Sequence, residues 1–338
     1  MAGKVKKAGA AGLAALLILA LIWVAGVRET VEILKRANPS LFLLAILVFI
    51  ATIVLWALRW DVFLKGVGVN ARFRDVLRGI LIGMFVNNVT PGARGGGEPV
   101  RMYFIAKRSE GDYGPIFATI MADRLLDLIP VFTMLILSSW YAFSIGARKM
   151  TWILLILTFF LFLLLMIGAL IMLSRKRMER LISRALAFAV RLSPGRVKRW
   201  EGKVSDMIEN GIPQFQITVR MILRRKKDFA IALLLSYIFW ALVILRSYLV
   251  FLSINYSIDI EKVMVVQMAA IVIGLVSIIP GGAGITETIN SGLYLALGID
   301  KSIAITATLL ERLISYWGPT VVGGVLTTHF GIGIKSGR

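Results

Sequence analysis

Two stretches of this chain repeat one helix-breaking pattern inside otherwise apolar sequence. Residues 91–98 read Pro91-Gly92-Ala93-Arg94-Gly95-Gly96-Gly97-Glu98, and residues 280–287 read Pro280-Gly281-Gly282-Ala283-Gly284-Ile285-Thr286-Glu287. Both fit P-G-x-x-G-x-x-E. An acid–arginine step follows each: Ala118-Thr119-Ile120-Met121-Ala122-Asp123-Arg124 and Ala307-Thr308-Leu309-Leu310-Glu311-Arg312. The arginine lies 33 residues after the first proline and 32 after the second. Proline removes a backbone donor, and glycine opens conformations that other residues avoid. Non-helical backbone at membrane depth persists only where protein or a water-filled cavity satisfies it. A turn at the membrane surface would explain either copy alone. Duplication favours two membrane-embedded hairpins and a transport site between two structural repeats.

The setting supports a membrane reading. Of 338 residues, 58% are hydrophobic, and the mean hydropathy is +0.82. Several runs reach the roughly 20 apolar residues that cross a hydrocarbon core. With no cysteine and one histidine, His329, disulfides, thiolate chemistry, His-based metal sites and a Ser-His-Asp triad have almost nothing to be built from. No metal and no cofactor are expected, and no G-x-x-x-x-G-K-[ST] phosphate loop occurs. The formal charge of +20 concentrates in residues 174–227, where 15 Lys or Arg face 4 Asp or Glu. Nucleic acid is one partner for such a segment. A cytoplasmic loop beside anionic head groups explains it better, so no nucleic-acid partner is expected.

The expected fold class is an all-α polytopic membrane protein, with about six full spans and two re-entrant or broken Pro-Gly hairpins. The spans are 8–27, 41–58, 115–146, 151–173, 229–254 and 303–328. The hairpins are 76–106 and 263–298. The first segment reads as a retained span, since no small-residue cleavage pattern precedes Arg28 and Glu29. Residues 1–40 then form the N-terminal span and outer loop, 41–146 the first repeat, 147–228 a span plus the basic segment, and 229–330 the second repeat. Counting positive charge places both termini, loop 59–78 with Arg59, Lys65, Arg72, Arg74 and Arg78, and segment 174–227 in the cytoplasm. The hairpins then enter from opposite faces, as in inverted-repeat transporters. Trp56-Ala57-Leu58-Arg59 and Trp240-Ala241-Leu242, ahead of Arg246, offer a short upstream match. Segment 174–227 shows helical spacing broken at Ser193-Pro194-Gly195 and Gly211-Ile212-Pro213.

Charge inside the spans marks the candidate site. Asp123 lies eight residues into its span, roughly 12 Å along a helix. A charge that deep needs a partner or water. Asp123 and Asp127 share a face, and Arg124 and Asp127 can pair three apart. Glu311 and Arg312 sit at similar depth. Sequence neighbours point about 100° apart on a helix, so neither acid–arginine step neutralises itself, and Arg94, Glu98, Arg101 and Glu287 are the candidate partners. Glycine-rich turns expose backbone N–H groups, and helix termini carry partial positive charge. Arg94 and Arg101 add to it, and together these suit a phosphate. The backbone of Pro91, Gly92, Gly95, Gly96 and Gly97, and of Pro280, Gly281, Gly282 and Gly284, would shape the hairpins. The blander alternatives are a buried ion network that fixes helix packing, and hairpin capping by Asn87, Asn88, Thr90, Thr286, Thr288 and Asn290.

Asn88-Val89-Thr90-Pro91-Gly92, Gly96-Gly97-Glu98-Pro99-Val100-Arg101, Asp123-Arg124-Leu125-Leu126-Asp127 and Pro280-Gly281-Gly282-Ala283-Gly284 with Glu287 resemble the lysylphosphatidylglycerol synthase transmembrane region, the flippase-like UPF0104 family. The resemblance spans nearly the whole chain and implies a flippase domain of the kind found in multiple-peptide-resistance proteins. There, such a domain precedes an aminoacyl-transferase domain, which is not expected here. Lipid aminoacylation is therefore not carried over. The reading is a lipid flippase or scramblase of the cell membrane, not an enzyme. Arg94, Arg101, Arg124 and Arg312 would hold a lipid phosphate, and Glu98, Asp123, Glu287 and Glu311 would gate or titrate. Expected partners are membrane lipids with anionic or phosphate-bearing head groups. The resemblance leaves room for a homo-oligomer and for a separately encoded lipid-modifying synthase. The other readings are an ion- or proton-coupled carrier of a small anion, an intramembrane lipid-phosphate enzyme, and a scaffold built on 174–227.

Overall fold

The computed structural model describes residues 26–90, 96–172, 174, 176–180, 183–184, 212–275 and 282–331. Most of span 8–27, most of segment 174–227, and Pro91, Gly92, Arg94, Gly95, Pro280 and Gly281 lie outside them. The described residues form helices: α1 (Val27–Lys35), α2 (Pro39–Gly66), α3 (Phe73–Val89), α4 (Gly97–Ser109), α5 (Tyr113–Ser144), α6 (Arg148–Met172), α7 (Ile212–Arg224), α8 (Lys226–Ser253), α9 (Ile260–Gly274), α10 (Ile285–Ala296), α11 (Lys301–Arg312) and α12 (Gly318–His329). A π-helical turn, Leu313–Trp317, joins α11 to α12. The expected span 303–328 is thus two helices and a bulge. The two Pro-Gly stretches each separate a pair of helices, α3 from α4 and α9 from α10.

Local chemistry sets several boundaries. Asn38 caps α2, its Oδ1 accepting from Ser40 N at 3.0 Å and Leu41 N at 3.3 Å, with Pro39 in the first turn. Proline suits that position because its missing N–H would be unpaired there anyway. The same logic applies at Ile212-Pro213, which open α7, and Phe215 of α7 packs against Phe117 of α5. Among the described residues, three helices are long and apolar enough to cross a membrane: Pro39–Gly66, Arg148–Ile171 and Lys226–Ser253. At 28 residues, α2 and α8 each reach about 42 Å. Helix α6 turns Trp152, Ile156 and Phe159 outward, as a helix solvated by lipid does. The protein is a membrane-embedded helical protein.

The long pair α2 and α8 forms the centre. Arg59 of α2 meets Ser236 of α8, and Phe49 of α2 lies under Arg246 of α8, so the two run antiparallel. Around them the packing comes in matched pairs: α3 on α12 and α9 on α5, α4 on α5 and α10 on α11, α3 on α4 and α9 on α10. Glycine makes two crossings close. A Cβ at Gly97 would meet the Gly83 carbonyl, and one at Gly323 would meet the Leu81 carbonyl and Phe85.

Candidate functional site

Arg59 was expected in an inner loop. It lies instead within α2, twenty residues after Pro39, and is fully buried. The apolar run does not end there; one turn of charge is buried within it. Arg59 Nε donates to Asp123 Oδ1 at 2.7 Å, and Nη1 donates to Asp127 Oδ1 at 2.5 Å. Asp127 therefore pairs with Arg59 and not with Arg124. Trp56 Nε1 donates to Asp123 Oδ2 at 3.0 Å. Trp240 Nε1 and Ser236 Oγ, both from α8, donate to Asp127 Oδ1 at 2.9 and 2.8 Å. Asp123 and Asp127 do share a face, one turn apart, and Arg59 clamps both.

The second layer of this half lies at the start of α4. Arg124 grips Glu98 Oε1 with Nε at 3.0 Å and also with Nη2. Arg101 Nε lies 2.7 Å from Glu98 Oε2, and its Nη2 is 3.7 Å from Asp123. The Arg101 guanidinium sits over the Trp60 ring at 4.6 Å, a face that attracts cations. Arg101 is sealed, whereas the Arg124 side chain is 37% exposed. Arg124 is thus the cation of this half that still reaches outward.

The other half repeats the plan. Arg246, twenty residues after Lys226, donates from Nη2 to Glu311 Oε1 at 2.8 Å. Gln267 Nε2 donates to Glu311 Oε2 at 2.8 Å. Arg312 Nε donates to Glu287 Oε1 at 3.0 Å and stacks over Tyr316 at 4.3 Å. Glu287 Oε2 accepts from Gly284 N at 2.8 Å. Gly284 has φ +80°, a conformation open to glycine, so Glu287 ties the second glycine turn to α11. Each half therefore has a helix arginine on the step acid, and a step arginine on the hairpin glutamate.

The spacing in the sequence runs parallel to this matching of pairs. Arg59 and Arg246 are 187 residues apart, Asp123 and Glu311 188, and Glu98 and Glu287 189. The tryptophan match Trp56/Trp240 is only 184 apart, so it is out of register by about one helical turn. Arg59, Arg246 and Gln267 were not among the predicted site residues; the shared offset was the signal that could have found the two arginines, and Gln267 has no such counterpart. Arg101 and Asp127 have no charged counterparts: the equivalent positions hold Asn290 and Ser315. One cation and one anion are absent together, so each half stays balanced.

Among the neutral residues, capping prevails near the first hairpin. Asn87 Oδ1 accepts from Gly97 N at 2.7 Å, and Thr90 Oγ1 donates to the Val86 carbonyl at 2.6 Å. Asn88 reaches across the halves, donating to Thr320 Oγ1 at 2.7 Å and to the Tyr316 carbonyl at 3.3 Å. In the second hairpin, Thr288 donates to the Gly284 carbonyl at 2.8 Å.

Residues 10–323 match the model of the family described as lysylphosphatidylglycerol synthase TM region. The chain belongs to this family. A UPF0104 membrane protein of Pyrococcus horikoshii is 40% identical over 312 residues, covering 92% of this chain and 93% of that protein. One from Methanothermobacter thermautotrophicus is 30% identical, covering 94% of each. One from Methanocaldococcus jannaschii is 29% identical, covering 91% of this chain and 90% of its own. The family match runs from ahead of the described residues into α12, so it takes in both halves of the ion network.

Proposed function

We propose that the protein is a transporter that moves a phosphate-bearing lipid between leaflets, through a cavity between two hairpins that enter the membrane from opposite faces. The observation that carries this is the doubled, buried ion network. Glu98 with Arg124 and Glu287 with Arg312 each join a glycine-rich hairpin to a membrane helix. Charges held so deep are costly and mark substrate paths by default. The matched packing and the antiparallel α2–α8 pair agree with inverted repeats. The family's name points to a lipid whose head group carries phosphate. Arg124 is placed to meet it, with Arg312 as counterpart, and the basic segment 174–227 would lie on the cytoplasmic side of the cell membrane.

The tails have a place too. An apolar cleft of about 370 Å³ runs between α2, α3, the π turn and α12, lined by Phe42, Phe49, Leu77, Leu81, Leu313 and Val322 among others. Phe49 is also the ring beneath Arg246. A hydrocarbon chain there would end beside the charged layer.

The test is reconstitution with fluorescent phospholipids and chemical quenching of the outer leaflet. Glu98→Gln with Glu287→Gln takes the charge from both hairpin carboxylates and weakens their bonds to Arg124, Arg101 and Arg312, each worth about 1.5–3 kcal/mol. A slowing of about tenfold or more follows. Equal translocation by wild type and the double variant sinks the proposed site.

A further inference from the structure

The two halves differ at one place where the scaffold is the same. Helices α10 and α11 are joined by four residues, and the start of α10 meets the end of α11 through Glu287 and Arg312. They therefore run antiparallel. Level by level, Ser291 stands opposite Thr308, with Asn290 beside it. Glu287, Asn290, Ser291 and Tyr294 are spaced i, i+3, i+4 and i+7, one face of a helix, and all four are buried. Glu287 holds Arg312 at one end of that face. At the other end, Tyr294 lies within reach of Glu311, Gln267 and Arg246. Asn290 and Ser291 thus sit between Glu287 and Tyr294 on α10, and Thr308 lies one turn before Glu311 and Arg312 on α11.

These side chains are 3%, 2% and 1% exposed. Asn290 Oδ1, Ser291 Oγ and Thr308 Oγ1 have no hydrogen-bond partner among the described residues. A buried polar group left so costs a few kcal/mol. The matching positions of the first half hold Arg101, Met102 and Ile120. The same interface is therefore built there without hydroxyls, around an arginine.

We propose that the α10–α11 interface holds a monovalent alkali cation, coordinated by Asn290 Oδ1, Ser291 Oγ and Thr308 Oγ1 beside the Glu311 carboxylate. Hard cations take oxygen ligands, and one ion satisfies all three oxygens at once. Either hydroxyl could donate to Asn290 Oδ1, but none of the three oxygens hydrogen-bonds another, so the set is not closed from within. Glu287 and Glu311 are each matched by an arginine, so the ion would be held by neutral oxygens, and a divalent ion, with its larger desolvation cost, is disfavoured. In the first half, the Arg101 guanidinium occupies the position equivalent to Asn290, a fixed charge where the second half would take an exchangeable one.

The purified full chain in lipid nanodiscs is unfolded thermally in NaCl and in N-methyl-D-glucamine chloride at equal ionic strength. The expected result is a midpoint that rises saturably with Na⁺, as for any ligand of the folded state. Asn290→Leu with Thr308→Val should lose the rise, and Met102→Ala, in the first half, should keep it. The same midpoint in both salts, or an undiminished rise in the double variant, overturns the proposal. Should that variant not fold, equilibrium dialysis of wild type with radiolabelled Na⁺ decides: label displaced by unlabelled Na⁺ supports the site, and its absence refutes it. Neither readout involves lipid movement, so this site stands or falls separately from the transport reading.

Discussion

Arg59 holds two carboxylates on α5, and its removal takes the close cation from both, leaving Asp127 only neutral donors and Asp123 the more distant Arg101. Arg59→Ala should destabilise the protein by about 3–5 kcal/mol, because an unpaired buried charge is left behind. Thermal unfolding in nanodiscs measures this. Arg246→Ala should cost less, since it takes the cation from one carboxylate, Glu311, rather than two. Arg246→Met with Glu311→Leu should recover most of that loss, as apolar replacements of buried pairs tend to. The acid–arginine steps and hairpin glutamates were legible in the sequence because an ion in an apolar run stands out. Arg59 was not, because it follows an apolar stretch just where a loop would begin. Only the need of Asp123 for a distant partner pointed to such a cation, and a linear sequence does not name partners.

Helices α11 and α4 show what sets an element's stability here. Asp300 caps α11, accepting from Ser302 N at 2.9 Å. Asp300→Ala should cost about 1 kcal/mol. The Ser302 hydroxyl and first-turn N–H groups hold the Asp300 carboxyl below the ordinary carboxylate range. Its contribution is therefore present above the unfolded-state value and lost as pH falls through the lower folded one; a pH series of unfolding midpoints should lose the wild-type advantage over Asp300→Ala there. Gly97→Ala and Gly323→Ala push a methyl into backbone and should cost about 1–3 kcal/mol. Gly292→Ala meets nothing within 4 Å and should stabilise α10 by about 0.5–1 kcal/mol, all read by thermal unfolding. The apolar helices were foreseeable from their runs. The π turn was not. Pro130 of α5 and Pro319 of α12 are 189 residues apart, yet Asp123 and Glu311 are 188 apart. One extra residue in the second half is absorbed as a bulge, and hydrophobic periodicity does not register a single insertion of that kind.

The proposed orientation of the halves can be tested on the intact protein, which has no native cysteine. Asp112 and Lys301 are both exposed, and they occupy equivalent positions after the two hairpins. Asp112→Cys and Lys301→Cys should react with a membrane-impermeant maleimide from opposite sides of the membrane. Labelling from one side for both would exclude opposed hairpins. The doubled motif alone suggested two half-sites, and charge counting gave their orientation. The central α2–α8 pair and its arginines emerged only in three dimensions. The balance within each half has a further consequence. Three arginines face three carboxylates in the first, and two face two in the second. Seen from beyond a Debye length, about 8 Å in physiological salt, such a multipole has almost no field. If the site takes a lipid phosphate as proposed, the head group is not drawn in from afar; its phosphate must displace a carboxylate from a guanidinium, one anion traded for another. Binding by exchange leaves the count of released counterions near zero, so affinity at this site should change little with ionic strength.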